Sequence, residues 1–203
     1  MQNNKLIILS DDHFYINGMT EILKKHNIDS RGIKISNNKE LLNEISSISS
    51  QHNDGDILII SIKCTDLLLF SISLLYSLVK NICISMPIDR NKNNICSILG
   101  ATLFSLRMSE REILNMLFSV ASKSRKNITF TSSEINVMRS IASGVSPKKL
   151  SNSMHVSEKT ISNRRRLTMK KIGLKSAQEY FYVNSVMGAM QESMVYKQWM
   201  INK

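Results

Sequence analysis

Glycine and proline are scarce in this chain, with 7 and 2 residues among 203. Because these residues dominate tight turns, their scarcity disfavours a turn-rich β architecture and favours longer elements. Cysteine is also rare: Cys64, Cys83 and Cys96 form no CxxC pair, and no histidine lies at a spacing that suits zinc. We expect three reduced thiols in the core of a cytosolic protein, and neither a disulfide framework nor a metal site.

The sequence also lacks the patterns of an enzyme or a membrane protein. No nucleophile–base pair, phosphate-binding loop or metal-ligand set is present, and the four histidines are isolated. We therefore expect no catalytic residue, no cofactor and no metal. The longest apolar stretch, 67–79, is broken by serines and a tyrosine and is too short to span a membrane. The polar start of the chain does not resemble a secretion signal, so a cytoplasmic location is expected.

Acidic residues are scarce in one part of the chain only. Residues 1–121 hold 12 Lys+Arg and 12 Asp+Glu, a net charge of zero, whereas residues 122–203 hold 15 Lys+Arg and 4 Asp+Glu. The whole formal charge of +11 therefore belongs to the last 82 residues. Such a distribution indicates a polyanionic partner for that part of the chain, the alternative being a basic surface that serves solubility.

The first 122 residues alternate between short apolar runs and amphipathic stretches. The apolar runs that predict strands are 5–10, 32–36, 56–62, 81–86 and 100–106. The stretches that predict helices are 13–26, 38–49, 65–79, 92–99 and 109–123. This alternation predicts an α/β domain in which a five-stranded parallel sheet is covered on both faces.

Polar residues follow the predicted strands at their carboxyl ends, the edge where functional residues of parallel sheets gather. They are Asp11, Asp12, Ser61, Ser85 and Arg107. Asp12 also suits the N-cap position of the following helix. Two interpretations of the acidic pair stay open: a helix cap with residual acidity, or a residual cation site.

This part of the chain, about 5–122, resembles the receiver domain of two-component response regulators. In that family an acidic pair binds magnesium, an aspartate after the third strand accepts the phosphoryl group, and a Ser/Thr and a lysine end the fourth and fifth strands. Asp11, Asp12 and Ser85 fit this pattern, but Ser61 stands at the acceptor and Arg107 at the lysine. A serine without a base is a poor nucleophile and adds no charge to a metal site. The resemblance therefore implies a degenerate receiver that is not switched by aspartyl phosphorylation.

The basic part of the chain contains a series of short helices with clear start and stop signals. Helix caps are expected at Thr131, Ser146, Ser157 and Ser176, and Gly144 and Gly173 are expected to end two of the helices. Residues 148–154 and 158–172 then form two helices joined by a tight turn at 155–157. This is helix-turn-helix spacing, in which the second helix enters the DNA major groove.

The second of these helices carries a polar and cationic face. Ser162, Asn163 and Arg166 are the expected base-reading residues, because Arg pairs bidentately with guanine and Asn with adenine. Expected phosphate contacts are Lys148, Lys149, Lys159, Thr160, Arg164, Lys170 and Lys171. A solvated basic helix is the alternative interpretation of the same charge.

Residues 130–173 are similar to the DNA-binding domain of LuxR/NarL-type regulators. Identical positions are Thr131, Glu134, Val137, Ile141, Ala142, Gly144, Ser146, Lys148, Ser157, Thr160, Lys171 and Gly173. Departures at Pro147, Lys149, Ser162 and Arg164 put the base preference in doubt. In this family the fourth helix dimerises, which implies that role for the apolar stripe Tyr180, Val183 and Met187, with core packing as the alternative.

The sequence thus predicts a degenerate receiver-like domain at 1–122, a linker at 123–129, an all-α helix-turn-helix domain at 130–190 and a tail at 191–203. The tail either extends the fourth helix or packs on the first domain. The expected function is a dimeric transcription regulator that binds double-stranded promoter DNA, as a homodimer or with a related regulator. Two alternatives remain: a phosphorylation-switched regulator with a displaced acceptor, and a partner protein that modulates another regulator without reading DNA.

Overall fold

The computed structural model describes residues 5–51, 53, 55–87, 95–123 and 128–201. The chain forms two compact units. The sheet unit comprises Met1–Asn127 together with Ala189–Lys203, and the helical unit comprises Ile128–Gly188. Each unit has its own buried apolar residues.

The sheet unit alternates strands and helices along most of its length. Its strands are β1 (Leu6–Ser10), β2 (Ser30–Lys34), β3 (Ile57–Ser61), β4 (Asn81–Met86), β5 (Ile95–Ile98) and β6 (Ala101–Ser105). Its helices are α1 (His13–Lys25), α2 (Asn38–Gln51), α3 (Thr65–Leu75) and α4 (Glu110–Ala121).

The strands form one sheet in the order β2-β1-β3-β4-β6-β5. Neighbouring strands are parallel except for the last pair, in which β5 runs antiparallel to β6. The predicted α/β fold is confirmed, but the described residues form six strands where five were expected. The order changes direction between β1 and β3, and in open α/β sheets ligands bind beyond the carboxyl ends of the strands at such a switch point.

The extra strand replaces a predicted helix. The expectation of a helix at 92–99 is wrong over its described part, since Ile95–Ile98 is a strand; residues 92–94 lie outside the described residues. Leu99 and Gly100 have φ angles of +51° and +88°, as in the two-residue turns that join hairpin strands. This turn folds Ile95–Ile98 back onto β6, and the segment is too short for helical periodicity to distinguish the two structures.

The main core lies between one face of the sheet and two helices, α1 and α4. It contains strand residues such as Ile8, Ile59 and Phe104, together with Leu23 of α1 and Met116 of α4. The continuous apolar runs of β1 and β3 are buried throughout, as expected of strands covered on both faces. The polar ends of these strands are thereby held at a fixed edge of a rigid sheet.

The cysteines divide into two classes. Cys83 and Cys96 are buried, as expected, whereas Cys64 is exposed. The expectation of a core position is wrong for Cys64, because the buried run ends before it and Cys64 is the N-cap residue of α3.

The basic part of the chain folds into four helices: α5 (Ser132–Ala142), α6 (Pro147–Ser153), α7 (Glu158–Ile172) and α8 (Ala177–Ile201). The capping box of Thr131 and Glu134 is present, and Gly173 adopts the left-handed conformation at the end of α7. Helix α8 continues through the described part of the expected tail, and its residues from Ala189 onward belong to the sheet unit. None of the described helices is both long and apolar enough to cross a membrane.

Candidate nucleic-acid interface

Helix α7 is fixed at both ends and along one face. At its start the Ser157 Oγ accepts a hydrogen bond from the Thr160 N–H, with an N···O distance of 3.1 Å. The side chains of Ile161, Thr168 and Ile172 are buried. Because helical residues three to four apart share a face, this burial sets the rotation of α7 and turns its opposite face toward solvent.

The turn between α6 and α7 contains a residue in an unusual conformation. His155 has φ +51°, in the left-handed region that few non-glycine residues adopt. The following N–H, that of Val156, donates to the Ser151 carbonyl at 3.0 Å. This bond closes the short connection that places α6 before α7, as a helix-turn-helix arrangement requires.

The three predicted base-reading residues lie exposed on α7. Ser162, Asn163 and Arg166 are solvent-facing, and the Arg166 Nη2 donates to the Asn163 Oδ1 at 3.3 Å. Lys159 and Lys170 are exposed on the same side of the helix. The structure therefore brings the predicted base-reading side chains of Asn163 and Arg166 together within a cationic surface. We name this surface the reading face; it comprises Lys159, Ser162, Asn163, Arg166 and Lys170.

The predicted phosphate contacts differ in their surroundings. Lys148 and Lys149 are exposed on α6, and Thr160 and Arg164 are half-buried on α7. Lys171 departs from the expectation. Its ammonium lies 3.1 Å from the Glu134 carboxylate and 5.4 Å from the centre of the Phe130 ring.

Lys171 therefore connects α7 to α5 inside the unit. Burial works against ionisation of Glu134, but the Thr131 backbone N–H and the Lys171 ammonium outweigh it and lower the pKa of the Glu134 carboxyl. The phosphate contact expected of Lys171 stays a prediction, and the structure adds an ion pair with Glu134 that was not expected. The position of Lys171 around the helix did not reveal its acidic partner, because Glu134 lies 37 residues earlier in the chain.

One apolar residue beside the reading face was missed by sequence reasoning. The Leu167 side chain is 60% exposed, one helical turn after Asn163. It follows Arg166 directly, so its position within a basic run concealed it. An exposed apolar side chain at this place can contact the methyl group of thymine.

The expected dimerisation stripe faces the core instead. Tyr180, Val183 and Met187 are all buried within the chain. Next to them, the Asn184 side-chain amide donates to the Met138 carbonyl and connects α8 to α5. The core-packing alternative is therefore favoured, because these side chains are covered by the chain itself and have no surface to offer a partner.

The second predicted site lies at the carboxyl edge of the sheet. Both carboxylate oxygens of Asp11 accept the Lys63 backbone N–H at 3.0 Å, and one also accepts the Cys64 N–H at 3.1 Å. Asp12 caps α1 by accepting the Phe14 N–H at 2.9 Å. The expected capping role of Asp12 is confirmed.

A lysine that sequence reasoning missed completes this edge. The Lys63 Nζ lies 2.7 Å from the Asp12 Oδ2. This hydrogen bond holds the pKa of the Asp12 carboxyl below its usual value, and the carboxylate in turn raises the pKa of the Lys63 amine. The available signal was a basic residue two positions after β3, at the edge already occupied by the acidic pair.

The expected acceptor position is occupied by a buried hydroxyl. Ser61 and Ser85 are both buried, and the Ser85 Oγ donates to the Ser61 Oγ at 2.9 Å. The Ser10 hydroxyl donates to the Ser61 carbonyl. Arg107 is exposed in the turn after β6, and one strand, β4, lies between β3 and β6 in the sheet. The edge thus groups the acidic pair and the two serines, and Arg107 follows the strand next to that of Ser85.

The residues at this edge do not fit a magnesium ion. Mg²⁺ takes oxygen ligands in near-octahedral geometry and favours carboxylates. The carboxylates of Asp11 and Asp12 are engaged by backbone N–H groups and by the Lys63 ammonium, and Ser61 adds no charge. Throughout the described ranges, no group of three or more His, Cys, Asp or Glu residues could hold a metal ion.

Comparison with known proteins identifies the helical unit. Residues 128–183 match the family described as bacterial regulatory proteins, luxR family. No curated protein matches the chain.

Solved structures are similar over most of the chain. The two-component response regulator RcsB in complex with DNA is 16% identical, with a TM-score of 0.50, and the match covers 91% of this chain and 100% of that one. RcsB from Salmonella enterica serovar Typhimurium bound to promoter P1flhDC is 16% identical, with a TM-score of 0.49 and coverages of 91% and 100%. Full-length FixJ from B. japonicum is 12% identical, with a TM-score of 0.41 and coverages of 92% and 99%.

The match to the RcsB–DNA complex supports the fold, an α/β sheet unit followed by a helical unit, and the family match covers the segment that carries the reading face. The chain therefore contains a luxR-family domain at residues 128–183, and its two-unit fold is similar to that of the RcsB structure.

Proposed function

We propose that this protein is a transcription regulator of the cytoplasm that binds double-stranded promoter DNA through α7. It is a binding protein and not an enzyme. The observation that carries this proposal is the exposed pair Asn163 and Arg166 on a helix whose opposite face is buried. The luxR-family match of the same segment supports it.

The chemistry of the reading face suits base recognition. Arg166 can donate two hydrogen bonds to guanine, and Asn163 can form two with adenine. Lys148 and Lys149 on α6, with Lys159 and Lys170 on α7, supply exposed positive charge for the phosphates. The phosphate contacts fix the register and the base contacts provide sequence preference.

The test is a titration of the full-length protein against promoter fragments, read by fluorescence anisotropy. Arg166→Ala and Asn163→Ala should each lose roughly 1–3 kcal/mol of discrimination between bound and scrambled sequences. Arg111→Ala is the matched control, because Arg111 is an exposed arginine on α4. Unchanged discrimination in both reading-face variants would remove α7 from base recognition.

We further propose that aspartyl phosphorylation does not control the protein. Ser61 replaces the acceptor carboxylate, and Lys63 already neutralises Asp12. The alternative is a switched regulator with a displaced acceptor. A magnesium ion at this edge would need the carboxylates of Asp11 and Asp12. These carboxylates already accept hydrogen bonds from backbone amides and from the Lys63 ammonium.

The active form is proposed to be a dimer, as a homodimer or with a related regulator. Because Tyr180, Val183 and Met187 are buried, a dimer would use other residues; on α8, Phe181 is 43% exposed. A protein that modulates another regulator without reading DNA is the remaining alternative. Titration against promoter DNA at two salt concentrations separates the two cases, because the modulator would have no sequence preference at either one.

A further inference from the structure

A cavity of about 320 Å³ lies in the sheet unit, on the edge of the sheet where β4 and β6 begin. It is bounded by the starts of these strands, the turn between β5 and β6, and the end of α4. The cavity is therefore at the opposite edge of the sheet from Asp11 and Ser61, which lie at the carboxyl ends of the strands. This volume is near the lower end of the range for small-molecule sites.

The floor of the cavity is polar. Ser97 and Thr102 are directly opposite each other in the β5–β6 pair, so their side chains share a face. Thr102 lies two residues before Phe104, whose side chain is in the main core. Both floor residues are buried, and both line the cavity. Two hydroxyl groups therefore face the cavity from neighbouring strands.

The walls of the cavity add further polar side chains. Asn81, at the start of β4, and Ser119, near the end of α4, line the walls. The Asn81 side-chain amide also donates to the Asp56 carbonyl at 3.0 Å, which fixes its position.

Two lysines, Lys80 and Lys123, complete the lining. Lys123 has φ +52° just after α4, and its N–H donates to the Val120 carbonyl at 3.1 Å. Among the residues that the structure describes, none of those lining the cavity is acidic. The lining therefore combines two cationic groups with hydroxyl and amide groups.

We propose that this cavity binds a small anion that carries a phosphate or carboxylate group. The lysines supply the charge, and the side chains of Ser97 and Thr102 supply hydroxyl groups for hydrogen bonds. Bonds of this kind to an ionised group are about twice as strong as those between neutral groups. The site is independent of the proposed DNA-binding surface, because its residues belong to the sheet unit.

The test uses inorganic phosphate as the probe and amide NMR of the full-length protein at constant ionic strength. The amide signals of Ser97, Thr102 and Ser119 should shift along a saturable curve. Citrate, titrated in the same way, distinguishes a preference for phosphate from one for carboxylate. Basic residues of the helical unit are expected to respond to either anion, so only the cavity signals are used.

The variant Lys80→Gln/Lys123→Gln should bind phosphate at the cavity about tenfold more weakly, equivalent to ~1.4 kcal/mol. Lys24→Gln/Lys34→Gln is the matched control, since it removes the same charge from exposed positions of the same unit. Thr102→Val, which keeps the shape of the residue but removes its hydroxyl, serves if the double variant does not fold.

Cavity signals that do not move with either anion would overturn the proposal. Equal affinities for the double variant and its control would do the same. Movement of these signals with duplex DNA but not with free anions would reassign the two lysines to DNA phosphate contact.

Discussion

Two adjacent lysines at the end of α7 differ in their contacts within the chain. Lys170 is exposed on the reading face, whereas the Lys171 ammonium is 3.1 Å from Glu134. The sequence places both in the same basic run, and periodicity assigns both to DNA. Only the fold places Glu134 of α5 beside Lys171.

We predict opposite effects for these lysines. Lys170→Gln should lower the slope of log K against log salt by about 1, because one phosphate contact is lost. Lys171→Gln should change this slope less and should lower the free energy of unfolding. Salt-dependent anisotropy titrations and urea denaturation measure the two quantities. Equal slopes of log K against log salt for the two variants would show that Lys171 contacts phosphate as Lys170 does.

At the scale of elements, the Glu134–Lys171 pair connects the first and third helices of the helical unit. The pKa of the Glu134 carboxyl is lowered in the folded protein from a reference value of 4.5. A group whose pKa is lowered on folding contributes stability above its unfolded pKa and loses that contribution as the pH falls through the folded value.

The helical unit should therefore lose stability as the pH falls below about 4.5. Glu134→Gln should remove this part of the pH dependence, since it has no carboxyl to protonate. Thermal unfolding followed by circular dichroism from pH 7 to pH 3 measures the effect. Glu158→Gln, an exposed acidic residue of the same unit, is the control; identical profiles for wild type and Glu134→Gln would contradict the prediction.

The stripe on α8 provides a second prediction at this scale. Met187→Ala should lower the free energy of unfolding by about 2–5 kcal/mol, because a buried side chain is truncated and leaves a cavity. Met194→Ala, on an exposed position of the same helix, should have a much smaller effect. Denaturant unfolding and sedimentation velocity are measured together. If Met187→Ala leaves the free energy of unfolding unchanged but dissociates a dimer, the stripe forms a dimer interface and the prediction is wrong.

Secondary structure was predictable where the signal was local. Cap residues such as Ser157 and stop residues such as Gly173 mark helix ends through contacts within one turn, and the structure confirms them. Strand β5 was not predictable in this way, because its identity depends on pairing with β6 across the Leu99–Gly100 turn. The stripe on α8 was ambiguous for a similar reason: an apolar face packs equally well against its own domain or a second copy.

For the whole molecule, the alternation of elements was enough to predict the α/β class and the carboxyl edge of the sheet. The positions of Asp11, Asp12, Ser61 and Ser85 followed from strand order alone. Their chemical state did not, because it depends on Lys63, which approaches Asp12 only after β1 and β3 pair. The reading face followed from periodicity, since its residues lie within three turns of one helix.

The same edge provides a prediction about the whole protein. Acetyl phosphate or beryllofluoride with magnesium should change neither the oligomeric state nor the DNA affinity, because no acceptor carboxylate occupies the position of Ser61 and Asp12 is paired with Lys63. Analytical ultracentrifugation and anisotropy titrations measure both quantities. A shift in either one would favour the displaced-acceptor alternative.

Lys63 would also affect a variant in which an acceptor carboxylate is introduced at this edge. Replacing Ser61 by aspartate would place a third carboxylate at an edge where a lysine attached to the chain already balances one of the other two. A divalent ion from solution would have to displace the Lys63 ammonium from Asp12. The backbone holds this ammonium close to the carboxylate, whereas the ion must arrive by diffusion. We therefore expect that phosphoryl control of this edge would require substitutions at both Ser61 and Lys63.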